Sequence, residues 1–192
     1  MYKLLQFAIY PITMLASVWL SAVLLDADEN HLWSTSVPIW LGVFVIIVCE
    51  RYMPYSKSWS PKFSDLKTDA TYLLIIQTIL PGLLIWIATL FVSRFIIAND
   101  LAILHIWPHH LPIWVQEIMV VLISDLLRYW FHRMNHTIPF LWRFHAVHHS
   151  SQKMYWMNTS RFHPVEKSLQ FMLDVFPFML LGISEEVLAL HI

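Results

Sequence analysis

Cysteine, glycine and charge are all scarce in this chain of 192 residues. The single cysteine, Cys49, stands in an apolar run, so neither an intrachain disulfide nor a thiolate metal cluster is possible. Three glycines leave no flexible linker, and no internal repeat or low-complexity segment occurs. The chain therefore reads as one domain, 1–192. Charged residues make up only 13%, about half the share of a soluble domain, too few to cover a water-facing surface. Net charge is −1 and no basic run exceeds two residues. Nucleic acid is excluded as a partner, because phosphate neutralisation needs clustered Lys and Arg.

Apolar residues and histidine fill the space. Hydrophobic residues reach 58%, and the chain holds 11 histidines. A helix needs roughly 20 apolar residues to cross a bilayer. Leu4–Leu25 has no charge and ends at Asp26, Asp28 and Glu29. Its length, and the lack of a small-x-small site before Asp26, argue against a cleaved leader. Trp33–Cys49 is closed by Glu50 and Arg51. Ala70–Ala98 contains Pro81-Gly82, which predicts a kink. Leu111–Phe131 is less pure, with Glu117, Asp125 and Arg128. Leu169–Ile183 is short and broken by Asp174 and Pro177, which fits a re-entrant or interfacial segment as well as a span. The expectation is an all-α, multi-pass membrane bundle of about four spans with a His-rich cap.

Loop charge orders these spans. The 26–32 loop is acidic and 99–110 has no Lys or Arg, whereas 50–69 carries Arg51, Lys57, Lys62 and Lys67. Residues 132–167 carry Arg133, Arg143, Lys153, Arg161 and Lys167. The positive-inside rule then puts the N-terminus, the 50–69 loop and the 132–167 segment in the cytoplasm. Trp33, Trp107 and Trp114 would mark one interface, and Trp59, Trp130 and Trp142 the other.

Six histidines fall between 132 and 163: His132 and His136, then His145, His148 and His149, then His163. On an α-helix i and i+4 lie about 40° apart, so each of the first two groups presents its imidazoles on one face. Two such faces opposed would surround a pair of metal ions with nitrogen. No Asp, Glu or Cys occurs between 132 and 163, which disfavours Ca²⁺, Mg²⁺ and structural zinc and suits Fe, Cu, Zn or Ni. Asp125, seven residues before His132, and Tyr129 lie on nearly the same stripe and are candidates to orient a ligating imidazole. Asp125 has a plainer role open to it, pairing with Arg128 at i+3. His163 before Pro164 can serve as a ligand or cap a turn. Glu166 reads as an ordinary residue of the next helix's first turn. His105, His109 and His110 fall across the bilayer and read as loop residues. His31 and His191 have no evident partner.

The stretches Asp125-Leu-Leu-Arg-Tyr-Trp-Phe-His132-Arg-Met-Asn-His136, Leu141-Trp-Arg-Phe-His145-Ala-Val-His148-His149-Ser-Ser and Asn158-Thr-Ser-Arg161-Phe-His163-Pro together resemble the fatty acid hydroxylase/sterol desaturase superfamily. The segments Trp107–Trp114 and Glu50–Pro54 are similar to its bacterial members, so the resemblance covers roughly residues 40–190. It implies a membrane bundle with a cytosolic His-rich site in the region 125–166. It implies two irons held by His132, His136, His145, His148, His149 and His163, and O₂ as co-substrate. The activity implied is hydroxylation or desaturation of a lipid or sterol-like substrate, with electrons from an external donor protein. One departure stands out. The family has a further HxxHH box downstream, and this chain has none before Ile192, a few residues into a helix that Ser184 would cap and Glu185 and Glu186 would open. A truncated chain with an incompletely held second metal is the expectation. The rival reading is a non-catalytic membrane protein with a zinc or copper site; a bundle whose histidines serve packing or proton relay is the third.

Overall fold

The computed structural model describes residues 2–27, 31–88, 91 and 106–191, and every regular element among them is helical. The expectations for His105 and for the end of the third apolar run lie outside the described residues. Among the described residues three helices are long and apolar enough to cross a membrane: Phe7–Leu25, Trp33–Tyr52 and Phe63–Ile87. They fall on the first three expected spans, the third beginning earlier than hydropathy indicated.

Two compact units divide the chain. The first comprises residues 1–64 and 152–159. Its frame is a pair of helices, α1 (Tyr2–Ala27) and α2 (His31–Tyr52). Small and polar groups let the two backbones approach: Ser17 Oγ donates to the Pro38 carbonyl at 3.2 Å. A Cβ at Gly42 would stand 2.9 Å from Ser17 Oγ, so a larger residue there would displace that hydroxyl. Close approach through small residues is the usual means of helix association where lipid removes the hydrophobic drive. Large apolar side chains such as Phe7, Trp19, Trp40 and Phe44 stay exposed, as a lipid-facing surface requires. Glu50, at the end of α2, accepts a 3.0 Å hydrogen bond from the Trp156 backbone N–H.

The second unit comprises residues 65–151 and 160–192. Helix α3 (Phe63–Ile87) contains π-helical turns over Leu73–Ile79 just before Pro81. The predicted disturbance at Pro81-Gly82 thus takes the form of wide turns ahead of the proline, a recognised way for a helix to absorb one. Helix α4 (Ile113–Thr137) is 25 residues and about 37 Å long. Its buried stripe, Gln116, Val120, Ser124, Phe131 and Asn135, is mostly polar, while Leu122, Leu126 and Trp130 are exposed. A helix polar inside and apolar outside fits a bilayer better than water. A short helix α5 (Pro139–His145) follows, and Pro164 opens helix α6 (Pro164–Leu181) from the first helical position, where its missing N–H costs nothing.

Helix α6 is continuous through Asp174 and Pro177. Asp174 is accommodated by Arg128 of α4, whose Nε donates to Oδ1 at 2.7 Å while Nη2 engages the other oxygen. Arg128 therefore pairs across helices rather than with Asp125. Helix α6 ends at Gly182, φ 78°, where the Ile183 N–H reaches the Phe178 carbonyl at 3.1 Å, an end that demands glycine. Ser184 Oγ accepts from the Val187 N–H at 3.4 Å to start helix α7 (Glu185–His191), as the sequence indicated. Trp107, Val120, Phe178 and Val187 form the core of this unit. Trp107 is buried, with its indole N–H 2.6 Å from Gln116 Oε1 and its ring edge-on to Phe178. The expected interfacial role fails for Trp107, because Gln116 gives its polar atom a partner inside. Trp33, Trp114 and Trp130 are exposed as an interface would need.

Candidate metal centre

Four imidazoles meet at the end of α4. His132 Nε2 lies 3.1 Å from His136 Nε2, His136 Nε2 lies 3.2 Å from His145 Nε2, and His145 Nε2 lies 3.1 Å from His149 Nε2. Ligand nitrogens of His132, His136 and His145 all fall within 4.8 Å of one another. The i, i+4 spacing on α4 supplies the first pair. The helical face expected for the second group is only partly formed. Helix α5 stops at His145, and His148 and His149 occupy a separate 3₁₀ turn, His148–Ser150. The tighter turn still returns His149 to His145.

This arrangement fits a transition metal. Imidazole nitrogens about 2.1 Å from an ion stand about 3.0 Å apart in an octahedron and about 3.4 Å apart in a tetrahedron. The three consecutive separations fall between these, and His149 reaches the group through His145. The donor set is all imidazole, which suits Fe, Cu, Zn or Ni and not Ca²⁺ or Mg²⁺.

His145 is fully buried, and its Nδ1 lies 2.7 Å from Glu166 Oε1 in the first turn of α6. Asn135 Nδ2 and Gln170 Nε2 each donate to the same Glu166 oxygen at 3.3 Å. An Nδ1–H held by a carboxylate fixes the ring's tautomer and aims the Nε2 lone pair at the cluster. Burial pushes the His145 imidazole down to about 4, and the His136 and His148 rings add to the effect. Burial, then His145, lowers His149 as well. Both are neutral at physiological pH, the form that ligates. Burial also pushes the Glu166 carboxyl up, while the imidazoles of His148, His132 and His163 pull it down. Its Oε2 is buried without a hydrogen-bond partner among the described residues.

His148 is held differently. Its Nδ1 lies 3.3 Å from the Arg161 carbonyl, and its ring stacks on Phe162 at 4.6 Å. Arg161 is in turn anchored by fully buried Asp69 of α3, which it engages through Nε, and Ser160 Oγ donates to the Asp69 carbonyl at 3.2 Å. His148 Nε2 is left for a ligand beside the four-imidazole group. His163 Nδ1 accepts from the Val165 N–H at 3.2 Å, capping α6, so only its Nε2 is open to a metal. Trp142 stacks on His149 with ring centroids 5.5 Å apart.

Asp125 and Tyr129 are not brought to the imidazoles. Both are exposed on α4; Tyr129 packs edge-on to Trp130, and no hydrogen bond joins either residue to a histidine among the described residues. Seven residues of helix rise about 10 Å, which puts Asp125 out of hydrogen-bonding reach of His132. The carboxylate that meets an imidazole is Glu166 instead, expected to be an ordinary first-turn residue. Spacing gave no signal for it, since Glu166 lies 21 residues from His145 and only the fold brings the two together. Asp69 gave no signal, since only the tertiary fold brings it to Arg161. His191 also finds partners, Ser124 Oγ at 3.2 Å and Glu117 Oε1 at 3.6 Å. His109 and His110 are exposed.

Among the described residues the chain is helical, with membrane-length apolar helices and a carboxylate-braced imidazole cluster of the kind that could hold a metal ion. Comparison with known proteins narrows the reading. Residues 117–192 match the family described as Fatty acid hydroxylase. Over 187 residues the chain is 28% identical to the ornithine lipid hydroxylase OlsE of Rhizobium tropici, covering 95% of this chain and 55% of that protein. The chain thus spans little more than half the length of this curated relative. No solved structure matches it. Both matches support the fatty acid hydroxylase superfamily.

Proposed function

We propose that this chain forms the histidine-rich part of an iron-dependent membrane hydroxylase acting on a lipid. The observation that carries the reading is the series of four imidazole Nε2 atoms at 3.1–3.2 Å, with a buried carboxylate behind the central one. His132, His136, His145 and His149 hold one iron; His148 and His163, each with Nδ1 engaged and Nε2 open, are the contributors to a second. When bound, iron in such a shell activates O₂ for attack on an unactivated C–H bond. The net change is R–H plus O₂, two electrons and two protons to R–OH and water, with the electrons from an external donor protein. Glu166 keeps His145 in its ligating tautomer, and Trp142 covers one side of His149. The substrate class follows the relative, named for an ornithine lipid: an amphiphile with a polar head and acyl chains. Helix α4 serves as a fourth crossing, with the N-terminus and the imidazoles on the cytoplasmic side. Desaturation shares the same start and differs in losing a second hydrogen.

The test uses iron-loaded full-length protein with reductant, lipid extract and ¹⁸O₂, read by mass spectrometry. A lipid gaining one ¹⁸O atom is expected; zinc retention with no oxygen uptake would favour the non-catalytic metal site, for which the all-nitrogen donors are equally suited.

A further inference from the structure

A second feature lies one helical turn from the imidazoles. Gln77 and Ile85 of α3, Arg128 of α4, and Lys167, Phe171 and Asp174 of α6 line a cavity of about 200 Å³. Arg128 precedes His132 by four residues, about 6 Å along α4, and Lys167 directly follows Glu166. The Lys167 ammonium lies 5.8 Å from the centre of the Phe162 ring, the ring that stacks on His148.

Charge does not balance among the residues that line this cavity, although Glu166 and Asp125 act on Lys167 and Arg128 from outside it. Both oxygens of Asp174 are engaged by Arg128, and Glu166 is turned to His145. Among the described residues no carboxylate forms an ion pair with Lys167, so Arg128, Lys167 and Asp174 together leave one positive charge in excess. A partly buried ammonium in a cavity that Gln77, Phe171 and Ile85 also line offers both charge and apolar surface to an amphiphile's junction of head and chain. Lone buried charges are costly, and an anionic ligand would offset that cost.

We propose that this cavity receives the anionic headgroup of the lipid substrate, a carboxylate or phosphate, on Lys167 beside Arg128, with its chain over Phe171 and Ile85. The proposal rests on the hydroxylase reading and names the part of the substrate that the chain grips. Arg128 has a structural duty to Asp174; Lys167 is the residue free to serve the ligand.

The test is calorimetric binding to metal-loaded full-length protein in uncharged detergent, with N-dodecanoylglycine, its methyl ester and inorganic phosphate as probes. The acid should bind at least tenfold more tightly than the ester. Lys167→Met should abolish that preference, Lys167→Arg should keep most of it, and metal content should be equal in all samples. Equal binding of acid and ester, an unchanged preference in Lys167→Met, or phosphate binding as tightly as the acid would each overturn the proposal. If Lys167→Met does not fold, the comparison of acid with ester on the unaltered protein decides alone. Preference for the acid in protein that binds no metal would support the cavity and overturn the hydroxylase reading, so the two fail separately.

Discussion

Glu166→Gln isolates what the buried carboxylate does for the imidazoles. Gln has the same shape, and its Oε1 still accepts from His145 Nδ1, Asn135 and Gln170, the three donors that converge there. Two things change. The hydrogen bond to His145, 2.7 Å in length, loses its ionic character, so the imidazole becomes a poorer donor to metal. An NH₂ also replaces Oε2, an atom with no partner among the described residues, so the new donor is buried unsatisfied. Loss of such an orienting partner typically weakens metal binding about 10–100-fold, or about 1.4–2.8 kcal/mol. The buried amide costs a further ~1–3 kcal/mol of folding stability. The assay is Co²⁺ or Fe²⁺ titration against a competing chelator, with helicity checked by circular dichroism. A helical Glu166→Gln protein that binds metal as tightly as the original would refute the argument that this carboxylate sets the ligand.

Other outcomes follow from the same geometry. His163→Ala should remove the α6 cap at a cost of ~1 kcal/mol and leave the first metal in place, whereas His136→Ala should lose it; elemental analysis and thermal unfolding separate the two. The metal-free protein should lose stability with falling pH. His145 lies near 4 when folded against 6.5 ordinarily, so the unfolded chain binds more protons between these values. The stabilisation is whole above about pH 6.5 and gone near pH 4, roughly 3 kcal/mol for this group, measurable by denaturation across that range. Trp107→Phe leaves Gln116 Oε1 buried without its 2.6 Å donor and should cost ~1–3 kcal/mol, read as a lowered midpoint of thermal unfolding.

The helical class and the three long apolar helices were legible because a bilayer imposes length and purity on a helix. The clustering of the imidazoles was legible where they sit at helical spacing: His132 with His136, and His145 with His149. Spacing misled at Asp125, since a shared stripe fixes direction and says nothing of the rise along the axis. It was silent on Glu166, which is 21 residues from His145, and on Asp69, 92 residues from Arg161. Such pairings are made by tertiary packing alone. Trp107 was misplaced for a related reason: an indole at a predicted membrane edge looks interfacial until a buried Gln116 supplies its partner.

X-ray absorption at the iron edge of the loaded protein tests the central claim most directly. Four imidazoles around one ion predict a shell of nitrogen at about 2.1 Å with strong multiple scattering from several rings, reduced when His145 is replaced by Ala. A shell of oxygen or sulfur, or a spectrum indifferent to His145→Ala, would contradict it.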